Sequence, residues 1–248
     1  MYWSIWSIRQ SVIRIKRRLR KKKTSTYRET WEAARRIGSA LAGMSEARRP
    51  IPVLGEKSVE TVQTFFGIVN AGCFYILLDP KQPVSRLQQI LKTLDATLLV
   101  VMSEDHRKTA DALGFDGKIV YYEQMKDSEE DGDVLDVIRA NAADVDPLYV
   151  NFTSGSTGIP KGVVVSHRSV IDFMEYFPEL FEITEEDVIG NQAPFDFDVS
   201  VKDIYATLKT GATMVMIPKQ YFSFPTKLLD YLCERNVTTL IWADVVIV

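Results

Sequence analysis

Between Thr153 and Gly162 the sequence reads TSGSTGIPKG. The stretch carries the hydroxyls of Thr153, Ser154, Ser156 and Thr157, the glycines Gly155, Gly158 and Gly162, and the cation of Lys161. That set suits a phosphate. Glycine lets the backbone turn tightly and bring bare N–H groups up to an anion. Hydroxyls donate to phosphate oxygens, and lysine adds a compact positive charge. The order is not that of the G-x-x-x-x-G-K-[ST] loop that opens a helix. Here Pro160 precedes the lysine, Gly162 follows it, and Val163, Val164 and Val165 come next. By composition alone the stretch reads first as a flexible Gly/Ser connection between two strands.

A second concentration of chemistry lies at 191–205, NQAPFDFDVSVKDIY. Asp196 and Asp198 sit between aromatic residues. Strand-like alternation would put Phe195 and Phe197 on one face and both carboxylates on the other. An aspartate in apolar surroundings that pairs with a substrate ammonium is a good selectivity device, because a charge left unpaired there is strongly unfavourable. Asp198 is equally suited to cap a helix beginning at Val199. Locally both readings stay open. Lys202, one turn further, either lines the same pocket, where it would meet an acidic side chain, or points to solvent.

Other reactive residues form no constellation. His106 and His167 are isolated, and His167 reads as structural rather than as a base. Cys73 and Cys233 are too few for a disulfide framework, and no metal-ligand spacing appears. The acidic run 126–133, KDSEEDGD, lacks the spacing of a calcium loop and reads as a solvated surface loop.

The elements that must position these residues are legible from periodicity. Residues 148–152 form an apolar strand before the Gly/Ser loop, and 163–165 resume a strand after it. Helices are expected from Thr26 through Leu41, over 59–70 with Gly72 at the stop, from Pro83 with Leu87, Ile90, Leu91 and Leu94 inward, over 199–209 with Gly211 at the stop, and from Pro225 to about Asn236. Ser166 or Ser169 caps a further helix through Val170, and Thr184 and Asp187 bracket a short turn. Strands are expected at 51–54, 73–78, 98–102, 118–122, 212–217 and 237–242. Alternation of this kind predicts an α/β fold of layered, largely parallel sheets with flanking helices.

The chain has 248 residues and a formal net charge of −3, which argues against nucleic acid as a partner. The charge is uneven, since the first 23 residues hold nine Lys/Arg and no acid. Ile5, Ile8, Val12, Ile15 and Leu19 fall at helical spacing among them. The segment reads as a basic extension outside the fold, with a membrane-surface helix and a transit peptide as the alternatives. No apolar run reaches the length of a membrane span, and cysteine usage fits a reducing cytoplasm.

The order T-S-G-S-T-G-x-P-K-G resembles the phosphate-binding signature of the adenylate-forming, AMP-binding enzymes. Further matches keep the family's order. Thr26-Tyr27-Arg28-Glu29 is similar to its opening "TYxEL", with Thr30 in place of Leu. Asn70-Ala71-Gly72, Tyr75, Leu78-Asp79-Pro80, Pro83 and Arg86-Leu87 are similar to its "KAG-AYVPLDP-P-RL" stretch. Phe197-Asp198-Val199-Ser200 is similar to the element with which amino-acid adenylation domains hold the substrate α-amino group, and acyl-CoA synthetases do not keep that aspartate. The wording looks closest to D-alanine–carrier-protein ligases and nonribosomal peptide synthetase adenylation domains.

The resemblance implies ATP and Mg2+ as cofactors, with Thr153, Ser154, Gly155, Ser156, Thr157, Gly158 and Lys161 at the ATP phosphates. It implies an amino-acid substrate held by Asp198 and lined by Val199 and Lys202, and a phosphopantetheinylated carrier protein as partner. An acyl-CoA or aryl-acid ligase and a non-catalytic nucleotide- or membrane-binding module are the alternatives. The family's adenine-site motif, ribose-binding aspartate, hinge and catalytic lysine have no counterpart up to Val248. The expectation is therefore an incomplete AMP-binding domain over 24–248, with the basic extension 1–23 before it, that does not complete adenylation alone.

Overall fold

The computed structural model describes residues 24–153 and 160–242. They divide into two compact units, one of residues 30–169 and one of residues 170–242 with 24–29.

The 30–169 unit is built on a six-stranded sheet. Helix α1 (Tyr27–Ala42) leads to β1 (Pro50–Leu54), α2 (Val59–Asn70), β2 (Phe74–Leu78), α3 (Val84–Leu94) and β3 (Leu98–Val101). Two short helical pieces, α4 (Arg107–Ala112) and, after β4 (Lys118–Tyr121), α5 (Tyr122–Met125), precede α6 (Gly132–Ala140), β5 (Pro147–Thr153) and β6 (Lys161–Ser166). The strand order is β4-β3-β1-β2-β5-β6. Every neighbouring pair is parallel except β5 and β6. The central strands are apolar end to end because helices leave neither face to water: Leu98 to Val101 are all fully buried.

Two prolines stand in β1, inside the sheet. Pro50 and Pro52 survive there because β1 pairs with β3 only from Val53 onward. Phe74 N donates to Arg49 O and Met102 N to Leu54 O, so Pro50 and Pro52 face the β3 side before that ladder begins. Their missing N–H groups cost no sheet bond.

Helix α2 has the bounds its pattern predicts. Ser58 Oγ accepts from Thr61 N at 3.1 Å at its start, and Gly72, at φ +73°, turns the chain after its end. It crosses α1 where both helices carry glycine. A Cβ on Gly67 would lie 2.5 Å from Ile37 Cγ2, and one on Gly38 would lie 2.8 Å from Asn70 Cβ.

The acidic run 126–133 is not loop throughout. Asp131 accepts from Val134 N at 3.1 Å and caps α6, which begins at Gly132. Nor is the run merely solvated: Glu130 pairs with Arg35 at 2.5 Å, and Asp131 N donates to Ser39 Oγ at 2.9 Å. The cap lies inside a run of like charge, where helical periodicity is not visible.

In the other unit, α7 (His167–Leu180), which begins in the first, is followed by β7 (Val188–Asn191), α8 (Val199–Thr210), β8 (Thr213–Met216) and α9 (Pro225–Glu234). Strands β7 and β8 are parallel, from Val188 opposite Thr213 to Asn191 opposite Met216. In Val-Ile-Gly-Asn two apolar residues run straight into a Gly-Asn pair that signals a turn, so β7 goes unread in the sequence. Gly211, at φ +82°, ends α8 as expected. Residues 237–242, expected as a strand, make a single parallel bridge from Thr239 to Ile189. Adjacent hydroxyls of Thr238 and Thr239 both donate to Asp187 Oδ1, at 2.8 and 2.5 Å. Neighbouring side chains of a regular strand point to opposite faces, so this shared acceptor is incompatible with a continued ladder.

Candidate functional site

The phosphate-binding candidate is the turn of the β5–β6 hairpin. Thr153 pairs with Lys161, Phe152 with Gly162 and Asn151 with Val163. The expected nine-residue loop is thus shorter, since Lys161 and Gly162 already belong to β6. Thr153 and Lys161 are both exposed and stand opposite each other at the mouth of the turn. Ser154, Gly155, Ser156, Thr157 and Gly158 lie outside the described residues. Gly162 sits close to its neighbours across the strand: a Cβ there would lie 3.0 Å from Phe152 Cζ and 3.1 Å from Val150 Cγ2. Strand β6 forms the sheet edge, and Val163 and Val164 are more than half exposed.

The base of the hairpin is held by charge. Arg48 donates from Nε to Asp146 Oδ1 at 2.7 Å, and Ala143 N donates to Asp146 Oδ2 at 2.8 Å. The Arg48 guanidinium holds the Asp146 carboxyl below its usual range, against the opposing effect of partial burial. His167 opens α7 with its backbone N–H on Asp146 O at 3.1 Å. Burial pushes its imidazole below the usual range, while Asp146 and Asp144 pull the other way. Of the two capping candidates, Ser166 is the one used: its Oγ accepts from Ser169 N at 3.3 Å.

The amino-group candidate lies in the other unit, at the carboxyl end of β7. Residues 195–198 form turns rather than a strand, so period-two alternation does not apply. Phe195 is buried and Phe197 is 59% exposed, which corrects the expectation that they share a face. Asp198 is exposed and caps α8, its Oδ1 accepting from Val199 N at 2.8 Å. Ser200 Oγ donates back to Phe197 O at 2.7 Å and fixes the turn. Val199 is half-buried.

Lys202 is not directed to solvent. Its Nζ lies 2.6 Å from Asp203 Oδ1, and only 12% of its side chain is exposed. Asp203 itself is buried, and its other oxygen accepts from Asn191 Nδ2 at 2.9 Å. Asp203 and Asn191 are the residues that sequence reading misses here. The available signal is helical: Ser200, Asp203 and Thr207 recur at i, i+3, i+7 on a buried face of α8. An acid in such a row needs a partner inside the protein. Among the described residues no grouping of three His, Cys, Asp or Glu could hold a metal ion.

The sequence profile of the family described as AMP-binding enzyme matches residues 9–245. The chain belongs to the AMP-binding enzyme family. It is 34% identical over 216 residues to a mycosubtilin synthase polypeptide of Bacillus subtilis, covering 87% of this chain and 8% of that protein. It is 34% identical over 219 residues to the D-alanine–D-alanyl carrier protein ligase of Bacillus velezensis, covering 86% of this chain and 42% of that ligase. The chain therefore spans less than half the length of these curated relatives. In three dimensions it superposes on the fatty acyl-adenylate ligase of L. pneumophila, solved with acyl adenylate and pyrophosphate. The TM-score is 0.77 at 20% identity, over 93% of this chain and 41% of that one. The mixed α/β architecture of this family member is that of the adenylate-forming enzymes. No helix among its described residues is long and apolar enough to cross a membrane.

Proposed function

We propose that this AMP-binding family chain serves the ATP-dependent activation of an amino acid. In that reaction a substrate carboxylate oxygen attacks the α-phosphorus of ATP. The bond from the α-phosphorus to the bridging oxygen breaks, and pyrophosphate leaves with its electron pair. The aminoacyl group of the resulting adenylate then passes to the phosphopantetheine thiol of a carrier protein, with AMP as the leaving group. The observation that carries this reading is the exposed Asp198 carboxylate at the start of α8, on a chain whose relatives include a D-alanine carrier-protein ligase.

The roles follow from chemistry. Thr153, Ser154, Gly155, Ser156, Thr157, Gly158 and Lys161 hold the ATP phosphates. The pairing of Thr153 with Lys161 puts a hydroxyl and a cation at the two ends of one turn, where both can bracket one anion. Asp198 holds the substrate ammonium, and Val199 and Lys202 line the space beside it. Catalysis of such a displacement is mainly positioning and charge neutralisation. Mg2+ accompanies ATP, carried by the phosphates rather than by a protein cage.

The test is amino-acid binding to the full chain in the presence of ATP, measured by calorimetry. Asp198→Ala should weaken it at least about tenfold, or roughly 1.4 kcal/mol. Binding of a fatty or aryl acid in preference to any amino acid, with no dependence on Asp198, would overturn the reading in favour of an acyl-acid ligase.

A further inference from the structure

Building on the proposed role of Asp198 as anchor of the substrate ammonium, we infer that Asp203 sets side-chain selectivity. By holding the Lys202 ammonium in an internal ion pair, it restricts the site to amino acids with uncharged side chains.

Lys202 follows Asp198 by four residues, so the two side chains leave α8 on the same face. Helix α8 begins after the carboxyl end of β7, the end at which open α/β sheets bind their ligands. A lysine placed there has a natural use as the receptor for an acidic side chain. Its ammonium is already committed, however, at 2.6 Å from Asp203 Oδ1. Adjacent helical residues do not normally face one another. The Lys202–Asp203 contact is therefore an unusual one for neighbours on a helix.

Asp203 cannot follow the lysine outward. It is 2% exposed, and Asn191 Nδ2 at the end of β7 holds its second oxygen at 2.9 Å. Lys202 and Asp203 together are neutral. An incoming carboxylate would be drawn by the ammonium and repelled by Asp203. To take the lysine for itself it would have to leave a buried carboxylate without its counter-ion, which is strongly unfavourable. An uncharged side chain meets neither obstacle. Asp203 is thus a positioning residue that acts through Lys202, not a group that touches substrate.

The experiment compares alanine with glutamate by calorimetry on the full 248-residue chain with ATP present. Wild type should bind alanine at least about tenfold more tightly. Asp203→Asn is isosteric and retains an oxygen for Asn191, but it releases the charge on Lys202. The preference should then shift toward glutamate by at least about tenfold. Adding Lys202→Gln to Asp203→Asn should return the ratio to the wild-type value, a response that a purely structural role would not produce. Alanine binding with an unchanged ratio in Asp203→Asn overturns the inference. So does a wild-type preference for glutamate, which needs no variant to fold. If neither amino acid binds, or if alanine binding survives Asp198→Ala, the role of Asp198 fails and this inference fails with it. Alanine binding that is lost in Asp198→Ala but blind to Asp203→Asn removes the selectivity role alone.

Discussion

Thr153 and Lys161 face each other across the β5–β6 hairpin, each the residue at which its strand meets the turn. In antiparallel pairing such residues lie about 4.5–5.5 Å apart at Cα. A flexible Gly/Ser loop alone would hold its hydroxyls anywhere. Here strand pairing presents one hydroxyl and one cation together, and both are exposed.

Lys161→Ala should therefore weaken binding of ATP and of pyrophosphate about tenfold or more, with Lys161→Arg restoring part of the loss. The melting temperature should stay at its wild-type value, since the side chain is exposed. Raised salt should weaken binding by wild type more than by Lys161→Ala. Equal pyrophosphate affinity in wild type and Lys161→Ala would remove the residue from the phosphate site.

Gly67→Ala tests the α1–α2 crossing. Alanine gains about 1 kcal/mol of helix propensity over glycine. Its Cβ, however, meets Ile37 Cγ2 at 2.5 Å and Ile37 Cβ at 2.7 Å. Overpacking of this kind costs about 1–3 kcal/mol. A net loss of stability in urea is expected. Gly38→Ala pushes apart the same crossing, so the double substitution should cost less than the sum of the two. A gain in stability from Gly67→Ala would show that Ile37 yields readily and that the crossing does not depend on glycine.

Tyr27 belongs to the same unit as α8 and reaches the end of that helix. Its hydroxyl lies 2.6 Å from Thr207 O and 2.9 Å from Ala212 O, and donates to that pair of carbonyls. Tyr27→Phe removes this donor, and although Thr207 O still accepts from Gly211 N at 3.0 Å, the lost bond should cost about 1 kcal/mol. Hydrogen exchange at the α8 terminus should rise in the variant. Unchanged exchange there, with unchanged stability, would refute the role.

Tyr122 gives an alkaline signature. Its hydroxyl donates to Gln63 Oε1 at 3.2 Å in a buried site. Burial pushes the phenol up to about 12, and the carboxylates of Glu60, Glu123 and Asp127 add to the shift. An unfolded tyrosine titrates near 10. The folded state thus favours the neutral phenol. Its contribution is complete below about pH 10 and is lost as pH rises toward about 12. Urea midpoints should fall less steeply above about pH 10 in Tyr122→Phe than in wild type. Parallel curves would show that this group does not govern the alkaline limb.

Much of this protein was determined by its sequence alone. The period and glycine stop of Val59–Asn70, the glycine after α8, the apolar runs at β1, β2 and β3, and the order of the Gly/Ser loop are local properties, fixed within a few residues of chain. They specify the α/β class and the two stretches where chemistry is concentrated. Helix α6 was hidden because its cap, Asp131, sits in a run of like charge. Strand β7 was hidden because its two apolar residues are followed at once by Gly190 and Asn191, which read as a turn.

Tertiary structure decided what each side chain does. The turn at 195–198 sends Phe197 outward and Phe195 inward, which alternation could not anticipate. The Lys161 position became a strand residue because β5 reaches far enough to pair with it. Above all, Lys202 had two plausible destinations in the sequence and took a third. Its partner Asp203 is next to it in the chain, yet what holds Asp203 in place is Asn191, twelve residues earlier on β7. Backbone conformation follows short-range preferences, whereas the partner of a buried charge depends on which groups the fold brings beside it.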